Sequence, residues 1–215
     1  MTRVRVRQHV NPFHKKYQTP AQPPDWEQVY AQVNQPLHLD IGCARGEFLL
    51  EMAMLQPNWN FLGLEIREPL VERAGAMVDE LDLSNIHFVF GNVNNSIEPI
   101  LASLPQGKLQ RVTIQFPDPW FKKRQAKRRL VQPELVNNLA TYLSSEGIIL
   151  LQSDLETVAQ EMCTRFEANP AFQRKGKDWL AKNPMPVPTQ REILTLSRGE
   201  PVYRALFVRS QLSEC

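Results

Sequence analysis

From residue 37 to residue 166 strand-like and helix-like segments take strict turns. Leu37-His38-Leu39-Asp40-Ile41 reads as a strand, and Glu47 to Leu55 as a helix, with Phe48, Leu49, Met52 and Leu55 at helical spacing. Phe61 to Ile66 is a second strand. Pro69 to Leu81 is a helix opening on a first-turn proline. Ile86 to Phe90, Val112 to Phe116 and Ile148 to Leu151 read as the third, fourth and fifth strands. Helices over Ile97 to Leu104, Pro133 to Leu143 and Leu155 to Phe166 follow them in turn. Strands joined through helices pair in parallel, with right-handed crossovers that cover both faces of the sheet. The pattern predicts an α/β chain with a doubly wound, mostly parallel sheet. Past residue 170 the chain is irregular and punctuated by prolines. Ile193 to Leu196 and Val202 to Val208 then read as an antiparallel C-terminal hairpin at one sheet edge.

A chain of 215 residues has room for one core. Residues 1–25 are basic and then proline-rich, and read as an N-terminal arm. Residues 26–215 read as a single domain, with Asp25 capping a short helix from Trp26 to Val33. Cys43, Cys163 and Cys215 are scattered and form no CxxC pair, which excludes a disulfide framework and a zinc site. His9, His14, His38 and His87 lack metal spacing, and His38 and His87 sit within strands. No apolar run approaches the ~20 residues of a membrane span, and no signal-peptide core is visible. The expectation is a cytoplasmic protein with no metal and no membrane partner.

Open α/β sheets bind ligands beyond the carboxyl ends of their strands. The first strand exits through Asp40-Ile41-Gly42-Cys43-Ala44-Arg45-Gly46. Gly42 and Gly46 permit tight turning and close approach of a ligand. Ala44 and Glu47 depart from the dinucleotide fingerprint, and Glu47 sets a negative charge where a pyrophosphate needs a bare helix N-terminus. That argues against a nicotinamide-dependent oxidoreductase. Asp40 suits a ligand ammonium group. Glu65, nineteen residues past Gly46, suits the two hydroxyls of a ribose. Gly91-Asn92 follows the third strand, where the Asn92 amide suits an adenine. In this order, these groups describe S-adenosylmethionine as the cofactor.

The fourth strand runs into Phe116-Pro117-Asp118-Pro119-Trp120-Phe121. Pro117 and Pro119 stop the strand and stiffen the backbone that displays Asp118. Six cations follow between residues 122 and 129: Lys122, Lys123, Arg124, Lys127, Arg128 and Arg129. Net charge is only +2, so a nucleic-acid surface has to come from clustering of this kind. A second cluster, Arg3, Arg5, Arg7, Lys15 and Lys16, lies in the arm. An acid, aromatic faces and phosphate-seeking cations together fit work on a base within a nucleic acid.

The set Asp40-Ile41-Gly42…Gly46, Glu65, Gly91-Asn92, Pro117-Asp118-Pro119-Trp120 with Lys122-Lys123, and Ser153-Asp154 resembles the tRNA (guanine-N7)-methyltransferases. These are class I, Rossmann-like enzymes, and the similarity runs from about residue 36 to residue 209. Arg5 to Phe13 also looks like the N-terminal arm of part of that family. The resemblance implies that Asp40, Gly42, Gly46, Glu65, Asn92 and Asp118 contact S-adenosylmethionine. It makes Asp118 the catalytic residue and tRNA the partner, with a variable-loop guanosine as the target. Lys122, Asp154, Thr189 and Glu192 would contact the tRNA, the last two as the ends of a T-x-x-E element. Gln190-Arg191 departs from the Lys-Phe common inside that element, and Glu200 and Arg204 stand where many members carry His and Asp. No obligate partner protein is evident from the sequence, which leaves monomer and homodimer both open. A methyltransferase for a small molecule or a protein is disfavoured by the six cations, and a non-catalytic RNA-binding scaffold by the intact acids Asp40, Glu65 and Asp118.

Overall fold

The computed structural model describes residues 10–210. Arg3, Arg5, Arg7, His9 and Cys215 lie outside the described residues. Fourteen elements follow in order: α1 (Trp26–Val29), β1 (Leu37–Ile41), α2 (Glu47–Leu55), β2 (Asn60–Glu65), α3 (Glu68–Glu80), β3 (Ile86–Phe90), α4 (Val93–Ala102), β4 (Leu109–Gln115), α5 (Pro133–Tyr142), β5 (Ile148–Ser153), α6 (Glu156–Glu167), β6 (Phe172–Arg174), α7 (Gln190–Ser197) and β7 (Tyr203–Arg209). Short 3₁₀ turns span Lys15–Tyr17 and Lys123–Arg128.

The seven strands form one sheet in the order β3-β2-β1-β4-β5-β7-β6. The first five are parallel, and β7 runs antiparallel to both β5 and β6. β1 pairs with β2 on one side and β4 on the other. The winding therefore reverses between β1 and β4, which opens a crevice beyond their carboxyl ends.

Side chains alternate across the sheet. Leu37, Leu39 and Ile41 enter the larger core with α1, α4, α5 and α6. His38 turns to the opposite face, between the rings of Phe48 and Phe61 at 5.8 and 5.6 Å. It is fully buried, and burial holds its imidazole well below the usual range and so neutral. Asp40, Thr113, Gln115, Gln152 and Arg204 share this second face, by alternation along their strands and by register: Asp40 lies opposite Thr113, and Gln152 opposite both Gln115 and Arg204.

Two expectations need correction. Asp25 does cap α1, accepting the Glu27 amide at 3.2 Å, but the helix ends at Val29. The antiparallel C-terminal pairing is present with a different strand, because residues 193–196 are helical and Phe172–Arg174 supplies β6. Thr189 caps α7 by accepting the Glu192 amide at 3.1 Å. Ile193, Leu194 and Leu196, whose apolar run read as a strand, are exposed on that helix. The residues at the start of the chain also have fixed places from Val10 onward. Lys16 pairs with Glu68 at 2.7 Å, the Ala21 amide donates to Ser96 at 3.0 Å, and Trp26 Nε1 donates to Ser103 at 3.0 Å.

The antiparallel edge is pinned by Phe166 of α6, whose ring lies 5.2 Å from Phe172 and 5.4 Å from Phe207 with no exposed surface. Phe166→Ala should cost about 3–5 kcal/mol in urea unfolding, because the site is enclosed by strand and helix and cannot collapse.

Candidate active site

Two cavities open at the β1/β4 crevice. The smaller, about 120 Å³, is bounded by Glu65, Gly91, Asn92 and Val93 on one side and by Val10 and Pro12 on another. The larger, about 700 Å³, is bounded by Asp40, Arg45, Phe121, Asp154, Thr189 and Arg191. Gly42, Arg67, Gln115, Phe116, Pro117 and Asp118 border both. Of the residues assigned from sequence to the cofactor, Glu65 and Asn92 border the smaller cavity, Asp40 the larger, and Gly42 and Asp118 both; of those assigned to the substrate, Asp154 and Thr189 border the larger; Gly46, Lys122 and Glu192 border neither.

The backbone around Asp118 is strained. Phe116 and Trp120 take positive φ angles of 49° and 42°, which side chains with a Cβ disfavour. With Pro117 and Pro119 between them, the segment turns sharply out of β4 and holds the carboxylate at the crevice. Trp120 is half-buried beside the smaller cavity, with the Arg128 guanidinium 5.1 Å from its ring and its carbonyl accepting from Arg129 at 3.2 Å. Phe121 is 72% exposed and faces the larger cavity. Of the two aromatics, Phe121 is the one free to stack on an incoming base. Lys122, Lys123, Arg124 and Lys127 are exposed directly after it.

Asp40 is buried on β1. Its Oδ1 accepts from Thr113 Oγ1 at 2.6 Å and from Gln115 Nε2 at 3.3 Å. Burial raises its carboxyl to about 6, against the pull of these two hydrogen bonds and with help from the nearby Glu65 charge. Glu65, at the end of β2, is clamped. Its Oε1 accepts from Arg67 Nε at 2.9 Å and the Arg67 amide at 3.0 Å, and its Oε2 from Arg67 Nη2 and the Ala44 amide, both at 3.0 Å. Four donors fill the four acceptor directions of a carboxylate, so a ribose diol must displace part of the Arg67 fork. Burial opposes the charge on Arg67, but the hydrogen bonds and charge of Glu65, with the charge of Asp118, raise its pKa overall. Sequence reasoning missed Arg67. A cation two residues beyond a strand-exit acid was the available signal.

Asn92 caps α4 by accepting the Asn94 amide at 3.2 Å, while its Nδ2 donates to the carbonyls of Pro12 at 3.3 Å and Tyr17 at 3.5 Å. The arm therefore lies against the smaller cavity. Gly42, with φ of 81°, presents open space: a Cβ there would meet only Leu130 Cδ2, at 3.9 Å, and would fill the cavity. Gly46, with φ of 74°, is backed instead by Phe88, whose Cζ would lie 2.5 Å from a Cβ. A buried acid, a bare Gly42 cradle and an acid at the next strand exit fit an aminoacyl nucleoside such as S-adenosylmethionine.

On the far wall, Asp154 is ion-paired with Arg191. Thr189 is half-buried at the start of α7. Glu192 is buried, and its carboxylate is held by Arg204 Nη2 at 2.6 Å, Asn183 Nδ2 at 2.7 Å and Gln152 Nε2 at 3.2 Å. Arg204 answers Glu192 inside the protein rather than at the cleft. Among the described residues no group of His, Cys, Asp and Glu could hold a metal ion, and no helix is long and apolar enough to cross a membrane.

A family model described as "Putative methyltransferase" matches residues 34–205. A tRNA (guanine-N(7)-)-methyltransferase of Trichormus variabilis is 64% identical over 207 residues, covering 96% of each chain. One of Synechococcus elongatus is 61% identical over 209 residues, covering 97% of this chain and 98% of its own. The chain belongs to the tRNA (guanine-N7)-methyltransferase family. Among solved structures, the 16S rRNA methyltransferase KamB superposes with a TM-score of 0.61 at 13% identity, over 88% of this chain and 95% of its own. The aminoglycoside resistance methyltransferase NpmB1 gives 0.55 at 14% identity, over 87% and 94%. At such identities these two show the class I methyltransferase fold.

Asp40 gives this family member a pH dependence with two opposite signs. Its carboxyl is raised from 3.8 to about 6, so the folded ligand-free protein holds a proton that the unfolded chain releases within that window. Stability should fall as pH rises through it, and Asp40→Asn should stabilise the ligand-free protein at pH 7 by up to about 3 kcal/mol. A bound ammonium needs the ionised form. Calorimetric affinity for S-adenosylmethionine should therefore weaken below about pH 6, and in Asp40→Asn it should be weak and flat with pH.

Proposed function

We propose that this chain transfers the methyl group of S-adenosylmethionine to N7 of a guanine in tRNA, at a variable-loop guanosine. The observation that carries the reading is the pair of cavities meeting at Asp118, with exposed Phe121 bordering the larger and the exposed cations from Lys122 onward directly after it in the chain. S-adenosylmethionine, when bound, supplies an electrophilic methyl group on a sulfonium. Asp40 holds its ammonium group, Glu65 its ribose and Asn92 its adenine side, while Gly42 lets it approach the backbone and Gly46, packed on Phe88, shapes the loop that carries Gly42.

Guanine N7 is a bare lone-pair acceptor on the major-groove edge of the base. It has no proton to lose, so the protein needs no general base; its task is orientation and electrostatics. Asp118 accepts from guanine N1–H and the 2-amino group, which selects guanine over adenine and places a negative charge beside a base that becomes cationic. A stacked N7 is shielded, so the base must be exposed, and Phe121 offers it a stacking face. Lys122 grips a phosphate. Asp154 and Thr189 contribute to the opposite wall, and Glu192 contributes by fixing that wall in place. Every proposed group lies in one chain, so a monomer or homodimer suffices, and the cytoplasm, where tRNA is, is the place of action.

Incubating the protein with tRNA and S-adenosylmethionine, then mapping modified bases, tests the reading: N7-methylguanosine should form at one variable-loop site. Methylation confined to small-molecule acceptors would refute it. Lys122→Ala should weaken tRNA binding similarly for all sequences and lower the slope of log affinity against log salt by about 1. An unchanged slope would remove the phosphate contact.

A further inference from the structure

A chain of polar side chains, buried at Asp40, Gln152, Glu192 and Arg204 and half-buried at Gln115 and Asn183, crosses the sheet at the two cavities. At one end Asp40 Oδ1 accepts from Gln115 Nε2 at 3.3 Å. Gln115 Oε1 accepts from Gln152 Nε2 at 2.8 Å, and the same Nε2 donates to Glu192 Oε2 at 3.2 Å. At the other end Glu192 is held by Arg204 at 2.6 Å and Asn183 at 2.7 Å. Gln115 and Gln152 are paired by register, as are Gln152 and Arg204, while Asp40 lies opposite Thr113, one same-face position from Gln115, and Glu192 comes in from α7.

The direction of every link is determined. Gln152 must point its nitrogen at two oxygens, since the flipped amide would set oxygen against oxygen at both. That orientation leaves Gln152 Oε1 buried with no hydrogen-bond partner. A fold bears such an unpaired acceptor where the donated bonds matter more. Gln115 is then fixed too, with its oxygen toward Gln152 and its nitrogen toward Asp40. Two carboxylates that would repel each other are bridged by two amides arranged head to tail, and in such a chain each bond polarises the next.

The two ends reach opposite walls of the larger cavity. Asp40 borders the larger cavity beside Gly42, and Gln115 borders both cavities. Glu192 holds Asn183 of the preceding loop and the first turn of α7, from which Gln190 and Arg191 face the larger cavity. We propose that Gln115 and Gln152 are positioning residues that link the charge state of Asp40 to the setting of the Asn183–Arg191 wall, so that S-adenosylmethionine and tRNA bind cooperatively. The proposal rests on Asp40 belonging to the S-adenosylmethionine site. A bound ammonium favours ionised Asp40, which pulls harder on Gln115 Nε2 than the protonated acid does, Gln115 then on Gln152, and Gln152 is drawn from Glu192, whose remaining partners are Asn183 of the wall and Arg204 of β7.

The test is the affinity for S-adenosylhomocysteine with and without saturating tRNA, and for S-adenosylmethionine without it, by calorimetry, in the native chain and in Gln115→Met, Gln152→Met and Asn183→Ala. Thermal melting establishes that each variant is folded. Asn183 lies on a half-exposed loop, so its variant keeps the test available if a core variant does not fold. The native chain should bind S-adenosylhomocysteine, which has no methyl to transfer, at least about fivefold tighter with tRNA present. The folded variants should lose most of that factor, while Gln152→Met, which touches neither ligand, keeps its affinity without tRNA. A loss of stability alone would not move this ratio. A native factor of one, or an unchanged factor in any folded Gln variant, overturns the proposal. Asp40→Asn separates the two levels: unchanged affinity there removes the site assignment and the proposal with it, whereas weakened affinity alongside an unchanged ratio in the Gln variants overturns the proposal alone.

Discussion

β1 hydrogen-bonds to β2 on one side and to β4 on the other, and the site depends on that placement. The chain winds outward in one direction through β2 and β3, then returns and winds outward in the other through β4 and β5. The loop after β1 and the loop after β4 are thereby forced apart from their outer neighbours and toward each other. Gly42 comes from one loop and Asp118 from the other, and both border the two cavities. No separate device is needed to bring the proposed S-adenosylmethionine site beside the proposed base site. The switch in strand order does it, and the strained turn at Phe116 and Trp120 aims the carboxylate.

The same sheet carries a polar layer on one face near the carboxyl ends of its strands. A buried carboxylate is costly unless hydrogen-bonded, and Asp40, Glu65 and Glu192 meet this in different ways. Glu65 and Glu192 are neutralised by Arg67 and Arg204. Asp40 has only hydroxyl and amide donors, so its carboxyl stays raised. Of the three, Asp40 is therefore the one that gains most from a cation arriving with a ligand. Arg67 makes the opposite arrangement at Glu65, where an incoming ribose has to compete for acceptor directions already in use.

Much of this was legible in the sequence because it is local. Strand periodicity, the glycines at Gly42 and Gly46, and acids or amides at successive strand exits are read within windows of a few residues. The Pro-Asp-Pro segment announced its own rigidity. What was not legible depends on distant partners. Gln115 sat inside an apolar run and looked incidental until Gln152, 37 residues away, proved to be its partner. Arg204 looked like a departure at the cleft, whereas it is the buried counter-ion of Glu192. Ile193 to Leu196 read as a strand because apolar runs normally mark buried segments, and here Ile193, Leu194 and Leu196 are exposed on a helix set by the Thr189 cap. β6 has three residues, too few to show a period.

The central claim is that Asp118 holds and selects guanine where the two cavities meet, without carrying a proton. Single-turnover methyl transfer to tRNA at saturating S-adenosylmethionine, compared in ordinary and heavy water, tests it most directly. The native rate should show no solvent isotope effect, and in Asp118→Asn it should be strongly reduced and still show none. A native solvent isotope effect of about twofold or more that disappears in Asp118→Asn would show a proton passing through Asp118 and would contradict the claim.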